Sequence, residues 1–550
     1  MLLTVTACVA AGAPSAALAG EPTMPLSAVQ PGMSCIGKTV LQGTQISDFN
    51  LQVVDIVGTG ADARILARAS GAGVDTTGVA QGFSGSPMYC PTADGGSAIA
   101  GAVSAGTGDY GNLLILVTPI ETMLAEPTTA APTGNPLGAL TITGVTGPVA
   151  AALQSAARRT GRQLVVAPGV PRSLALDPQS ALAPGSSVAV AYSSGAVAAA
   201  AVGTVTYVDG NRIWAFGHPL DGAGRRQLLL ENAYVHAVIG NPLTLEGATP
   251  FKLASPLGAI GTLTDDRLAG VSGVVGTLPR TFPLTVSVRN TETDKLTIEK
   301  TELTDEVALG SPDSALDEIA PVAVAQAVVN ALHGAPVQMV ARMCVRIRLV
   351  GRTKPIKFCN RYVGGGPQSP GGGMPLGIAS AVGQISAYGR TPLHVADVDV
   401  QIRAAQKPDS ADIRKVTVTP KRARPGSHVI VRVEAVVAGT GEKIVRQQRV
   451  RVPGGYRSGA RLAVQVEGTA VDGEDLAALE DLLSIFGGGG DGEDSDTPRT
   501  VDQLVSSIED LAGDDRARVY VEDSRVRLPL LNVDDLRLTG SGETTLVIRR

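Results

Sequence analysis

Apolar and polar positions alternate over short stretches along most of this chain. Phe49-Asn-Leu-Gln-Val-Val-Asp-Ile-Val and Ala63-Arg-Ile-Leu-Ala-Arg-Ala carry the period of two that marks a half-buried strand. The apolar run Ile99-Ala-Gly-Ala-Val103 reads as a further strand, and strands resume from about 163 to 300 with turns at Asp209-Gly210 and Gly217-His218-Pro219. Val188-Ala-Val-Ala-Tyr followed by Ser-Ser-Gly predicts a hairpin. Two helical periods interrupt the pattern. One covers about 148 to 160, where Val149, Leu153 and Ala157 share a face; the other covers about 314 to 333, opened by Ser311, Pro312 and Asp313 and closed by Gly334. Later, Val416-Thr-Val-Thr-Pro, the run from His428 and the run from Lys443 predict three strands of a small β-sandwich. The end of the chain reads as a helix, Val501 to Leu511, followed by strands.

Composition agrees with a mainly β chain. Of 550 residues 44% are hydrophobic but only 3% aromatic, while Gly (66) and Pro (35) are plentiful, which suits short strands and tight turns. The length predicts about three or four domains. Segments 126 to 137 (Pro/Thr/Ala-rich), 364 to 373 (Gly-rich) and 487 to 496 (acidic, Gly-rich) read as connectors. A net charge of -5 gives no basic footprint, which argues against a nucleic-acid partner.

The uncharged stretch Leu2 to Ala19, ending Ala17-Leu18-Ala19, reads as a signal peptide, 1 to 19. Lipidation of Cys8 in Val5-Thr6-Ala7-Cys8 and an uncleaved anchor are the alternatives. Cleavage leaves Cys35, Cys90, Cys344 and Cys359, an even count that suits disulfides in an exported chain. A hairpin of the alternating runs 345 to 350 and 355 to 358 would join Cys344 to Cys359 and leave Cys35 for Cys90; four buried free thiols are the alternative. No CxxC or HxxxH spacing suggests a metal, and no cofactor is expected.

The chemistry-bearing segment is Gly82-Phe83-Ser84-Gly85-Ser86-Pro87. Glycines on both sides let the backbone turn sharply, expose the Ser84 hydroxyl and leave the Gly82 and Ser84 amides free to converge on an oxyanion. A serine needs a base within reach. Of the five histidines, His236, His333, His394 and His428 read most simply as structural or surface groups. His218 lies at a strand end in Trp214-Ala-Phe-Gly-His218-Pro.

Ile36-Gly-Lys-Thr-Val-Leu-Gln-Gly-Thr, Thr76-Thr-Gly-Val-Ala-Gln-Gly-Phe-Ser84-Gly-Ser-Pro-Met-Tyr, Gly101-Ala-Val-Ser and Thr118-Pro-Ile-Glu-Thr-Met-Leu124 resemble the SpoIVB family of sporulation serine peptidases and their actinobacterial relatives. Gly203-Thr-Val-Thr-Tyr-Val with Ala215-Phe-Gly-His218-Pro is similar to that family's histidine segment; the resemblance covers about 30 to 300. It implies a chymotrypsin-like double β-barrel, Ser84 as nucleophile and His218 as general base. Here the Ser-bearing half precedes the His-bearing half, the reverse of the family order. The stretch corresponding to the family acid, Ala69-Ser70, holds no carboxylate. Asp75 is the nearest substitute and is taken as the third catalytic group, with Asp221 and Asp55 as alternatives. No PDZ module is recognisable. The expected division is 20–130 (Ser-bearing half), 131–310 (His-bearing half), 311–363 (helix and disulfide hairpin), 364–410 (linker), 411–486 (β-sandwich-like), 487–499 (acidic linker) and 500–550 (α+β). The expected function is an exported serine endopeptidase acting on protein or peptide substrates at the cell envelope. An inactive peptidase-fold scaffold is the alternative, and wall-polymer binding by the C-terminal region a third.

Overall fold

The computed structural model describes residues 20–71, 73–107, 113–125, 135–136, 139–159, 163–170, 182–240, 249–306, 314–407, 410–468, 498–511, 517–521, 524–526 and 536–549. The expected signal peptide and Cys8, the helix-start residues Ser311 to Asp313, the acidic 487–496 and nearly all of the 126–137 connector lie outside them. The chain is mainly β, with 52% strand and 15% helix.

The first barrel consists of β1 (Ser34–Gln42), β2 (Gln45–Val57), β3 (Arg64–Ser70), β4 (Pro87–Pro91), β5 (Ser97–Gly106) and β6 (Leu114–Pro119). They pair in the order β4-β1-β2-β3-β6-β5, and β4–β5 pairing closes the ring. Inward residues such as Phe49, Leu51, Val53, Ile65, Ala67, Val103 and Ile115 are fully buried, as the period of two requires. Closure leaves no unpaired sheet edge. Helix α1 (Ile120–Leu124) follows, then β7 (Asn135–Pro136), β8 (Leu140–Thr143), α2 (Gly147–Arg159) and β9 (Leu164–Val166).

A second ring has the same connectivity. It is built from β10 (Ser187–Gly195), β11 (Ala198–Asp209), β12 (Arg212–Ala215), β13 (Gly224–Ile239), β14 (Phe251–Arg267) and β15 (Gly270–Val275), paired β10-β13-β14-β15-β12-β11 and closed by β10–β11. Counted from its own first strand, each ring runs first, second, third, sixth, fifth, fourth. Val188, Val190, Ile213, Phe216, Leu228, Leu230 and Leu263 fill the second interior. Val40 of the first barrel packs with Ala189, Ala200, Leu229 and Val235 of the second along a shared apolar seam.

The sheet of the second barrel continues through β16 (Thr281–Asn290), β17 (Leu296–Thr304), β18 (Val340–Leu349), β19 (Ile356–Val363) and β20 (Val395–Ala405), and the chain between these strands forms the helices α3 (Ala315–Leu332) and α4 (Met374–Ser386). Ser314 caps α3, and its hydroxyl accepts from the Asp317 amide. His333 ends the helix in the left-handed region, with Gly334 next. Among the described residues α3 alone is long and apolar enough to cross a membrane, but it is buried between the sheet and α4. The described residues of the expected linker 364–410 are therefore structured. After its glycine-rich start it supplies α4 and β20, which runs parallel to β16 and antiparallel to β18 inside the sheet.

The expected β-sandwich is present, with a wider membership. One sheet pairs Lys443–Arg451, His428–Val437, Ser410–Thr419 and Arg537–Thr539; the other pairs Arg422–Ala423, Ser541–Ile548, Arg461–Glu467, Arg518–Val521 and Ser524–Val526. The described residues of 500–550 are thus not a separate unit. Their strands complete the sandwich core, while Leu504, Val505 and Ile508 of the helix Val501–Glu509 join the α3–α4 layer.

Both cysteine pairs predicted from the hairpin are formed, Cys35–Cys90 and Cys344–Cys359. Two disulfides fit an extracellular setting. The first ties β1 to β4, just beyond Ser84.

Candidate active site

Ser84 lies in the turn before β4. Gly82 (φ 89°) and Gly85 (φ 90°) take backbone angles that L side chains disfavour, and bonds from the Phe83 amide to Ala80 O and the Ser86 amide to Phe83 O tighten the turn. The turn belongs to the first barrel but docks on the second. The Thr204 amide donates to Ser84 O at 2.8 Å, Thr204 Oγ1 to Gly82 O at 3.0 Å and Thr206 Oγ1 to Gly85 O at 2.8 Å. The Gly85 amide bonds back to Val103 O at 2.7 Å. Gly85 has no room for a side chain, because a Cβ there would collide with the Thr204 carbonyl and lie 2.5 Å from the Phe216 nitrogen.

His218 follows β12 and makes the reciprocal crossing. Its turn begins at Phe216 (φ 70°) and Gly217 (φ 69°). A bulky residue with positive φ is strained by about 1–2 kcal/mol. Phe216 is held there because its ring fills the second barrel against Gly203, where a Cβ would overlap it. Gly217 packs onto the first barrel: its carbonyl accepts from Thr118 Oγ1 at 2.7 Å, and a Cβ on it would lie 3.1 Å from Val103 O. The Ser84 and His218 turns therefore flank the same Val103 carbonyl.

The polar atoms left over are informative. Ser84 Oγ and His218 Nε2 are both buried without a hydrogen-bond partner, as are Ser86 Oγ and Gln81 Oε1. Buried polar groups are normally satisfied, so these atoms at the seam retain unused hydrogen-bonding capacity. Among the described residues no acceptor lies against the Gly82 or Ser84 amide. His218 Nδ1 donates to Pro219 O at 2.6 Å, which fixes the tautomer and leaves Nε2 as the free base. Burial pushes its pKa down to about 4, outweighing the upward pull of the Pro219 carbonyl, so the ring is neutral across the physiological range. Ser84 is 1% exposed and His218 4%, and the two do not hydrogen-bond to each other in this state.

The expected third group is elsewhere. Asp75 is exposed and accepts from the Gly71 amide at 2.8 Å, bracing its own turn. Asp55 accepts from the neighbouring Ile56 amide. The Pro219 carbonyl occupies the His218 Nδ1 position that a catalytic aspartate would take.

Sequence reasoning missed a buried carboxylate that does hold this turn. Asp266, at the end of β14, accepts from the Leu220 amide on one oxygen and from the Asp221, Gly222 and Ala223 amides on the other. Burial and the facing Asp221 raise its pKa. Asp221 is lowered: burial opposes this, but the bond to Asp266 and the ion pair with Arg226 outweigh it. Arg226 also pairs with Glu306. The only sequence signal was Asp265-Asp266-Arg267 at a strand end, which surface turns share. Lys252, also missed, stands behind the Ser84 turn with its side chain buried.

The other histidines have partners or places of their own. His236 Nε2 meets Ser255 Oγ at 2.9 Å, His394 Nδ1 meets Asp305 Oδ2 at 2.8 Å, His333 ends α3, and His428 is exposed on the sandwich. No family model, no curated protein and no solved structure matches this chain.

Proposed function

We propose that the chain is an exported serine endopeptidase of SpoIVB type, with a chymotrypsin-like double barrel in which the Ser-bearing half precedes the His-bearing half. The observation that carries the reading is the pair of interlocked turns at the barrel seam, one with an unpartnered serine hydroxyl, the other with an unpartnered, neutral imidazole nitrogen. Two barrels of one connectivity support the architecture.

In this mechanism Ser84 Oγ attacks a peptide carbonyl carbon while His218 Nε2 takes the hydroxyl proton. The carbonyl oxygen becomes an oxyanion facing the Gly82 and Ser84 amides. The C–N bond then breaks, the leaving amine takes the proton from His218, and water hydrolyses the acyl-enzyme by the same route. The Pro219 carbonyl orients the imidazole but carries no full charge to stabilise the imidazolium. Turnover is accordingly slow, by as much as about four orders of magnitude where a triad lacks its aspartate. Substrates are proteins or peptides, and the two disulfides suit action outside the cell.

Full-length protein incubated with an unfolded protein substrate is expected to release fragments that Ser84→Ala and His218→Ala do not release. Equal cleavage by wild type and Ser84→Ala would reject the reading. The near-complete burial of Ser84 and His218 favours a second reading, a binding scaffold on the same fold. In that case wild type and Ser84→Ala capture a protein partner equally and neither cleaves it.

A further inference from the structure

Lys252 lies at the start of β14, at the seam between the barrels. Its nitrogen is 2.7 Å from Thr39 Oγ1 and 3.3 Å from Thr204 Oγ1, and sits 4.9 Å from the centre of the Phe83 ring. Thr204 gives its hydroxyl proton to Gly82 O, so it accepts from the lysine and the amine is the donor. A line of hydrogen bonds therefore runs from Lys252 through Thr204 to the first glycine of the Ser84 turn. The backbones are joined as well: the Lys252 amide donates to Gln81 O at 2.9 Å, and a Cβ on Gly82 would lie 3.1 Å from the lysine stem.

Among the described residues no carboxylate pairs with this amine. Hydroxyls and an aromatic face surround it, an arrangement that suits a cation. No other ionisable group perturbs it from β1, β11, β13 or the Ser84 turn; burial acts alone and brings it down to about 7. A buried, unpaired ammonium destabilises a fold, and an apolar side chain of the same length would serve packing better. Its position beneath a turn that is to face an oxyanion supplies the compensating use.

We infer that Lys252 is a positioning residue of the Ser84 site: its protonated amine, acting through Thr204, holds the Gly82–Ser84 turn and supplies positive charge to the oxyanion. The inference rests on Ser84 being the nucleophile.

The test is the rate of fluorophosphonate labelling of the full chain across pH, in wild type, Lys252→Met and Lys252→Arg. The wild-type rate rises through about pH 4 as His218 loses its proton and falls through about pH 7 as Lys252 loses its own. Lys252→Met labels at least about tenfold more slowly near pH 6 and lacks the upper fall. Its unfolding temperature near pH 6 nevertheless rises, because a buried charge has gone. Slower labelling with greater stability is a combination that a merely structural lysine does not give. Lys252→Arg, charged throughout, keeps labelling on the alkaline side. A flat wild-type profile between about pH 6 and 8, or Lys252→Met labelling at the wild-type rate, overturns the role of Lys252 and leaves Ser84 standing. A folded wild type that labels at no pH overturns both. The wild-type profile decides the question even if a variant fails to fold.

Discussion

Replacing Gly85 by alanine tests whether the Ser84 turn is docked on the second barrel or merely folded beside it. Two separable costs are involved. The first is conformational: at φ 90° an L-residue is disfavoured by about 1–2 kcal/mol. The second is steric, since the new Cβ would collide with the Thr204 carbonyl and the Phe216 nitrogen. Relief requires the turn to leave β11. That move loosens the bonds from the Thr204 amide to Ser84 O, from Thr204 Oγ1 to Gly82 O and from Thr206 Oγ1 to Gly85 O. Each contributes about 0.5–1.5 kcal/mol net, so the whole loss is roughly 3–6 kcal/mol. Gly95 provides the control. Its φ is 85° and a Cβ there would meet nothing within 4 Å, so Gly95→Ala carries only the conformational cost. The assay is thermal unfolding followed by fluorescence of Trp214, the chain's single tryptophan, which packs with Ala102, Met123 and Ala269 across the barrel seam. Gly95→Ala is expected to lower the midpoint slightly; Gly85→Ala should lower it several times further and abolish Ser84 labelling. Equal shifts in the two variants would refute the docking argument.

Further predictions concern charges and crosslinks. Asp266→Asn places an NH2 where a carboxylate oxygen now accepts amides, costs about 1–3 kcal/mol of local stability and slows Ser84 labelling at least about tenfold. Asp55→Asn, on an exposed carboxylate bonded to its neighbour's amide, leaves labelling unchanged. Removing Cys35–Cys90, which spans 55 residues, costs about 4 kcal/mol by chain entropy, against about 3 kcal/mol for Cys344–Cys359, which spans 15; denaturant titration of the two double-alanine variants checks the order. The stability of the wild type should rise between about pH 7 and 10.5, because the folded Lys252 has released a proton that the unfolded chain still binds. Lys252→Met should lose that slope in pH-dependent melting.

The sequence announced what local pattern can carry. Period-two runs located β2 and β3, apolar runs located β5 and β10, and the alternating runs beside Cys344 and Cys359 announced their hairpin. The glycines around Ser84 announced a turn because only a positive φ explains them so close together. What stayed hidden depends on distant partners. Lys252 reads as an ordinary lysine beside Phe251 until Thr39, 213 residues away, is folded against it. Asp266 gains its role from amides 43 to 46 residues upstream. Asp75 is the carboxylate nearest to Ser84 along the chain, yet the geometry gives the His218 Nδ1 site to the adjacent Pro219 carbonyl. Residues 364–410 misled for a related reason: a glycine-rich opening concealed β20, whose neighbours β16 and β18 precede it by long stretches of chain. The acidic segment divides the sandwich in the sequence because composition marks linkers and cannot show that strands on either side share a sheet.

The central claim is that Ser84 is a nucleophile activated by His218, and peptide mapping after treatment with a fluorophosphonate tests it most directly. Wild type is expected to carry an adduct on Ser84, and folded His218→Ala none. Folded wild-type protein with no adduct on Ser84, or an equal adduct in His218→Ala, would contradict it.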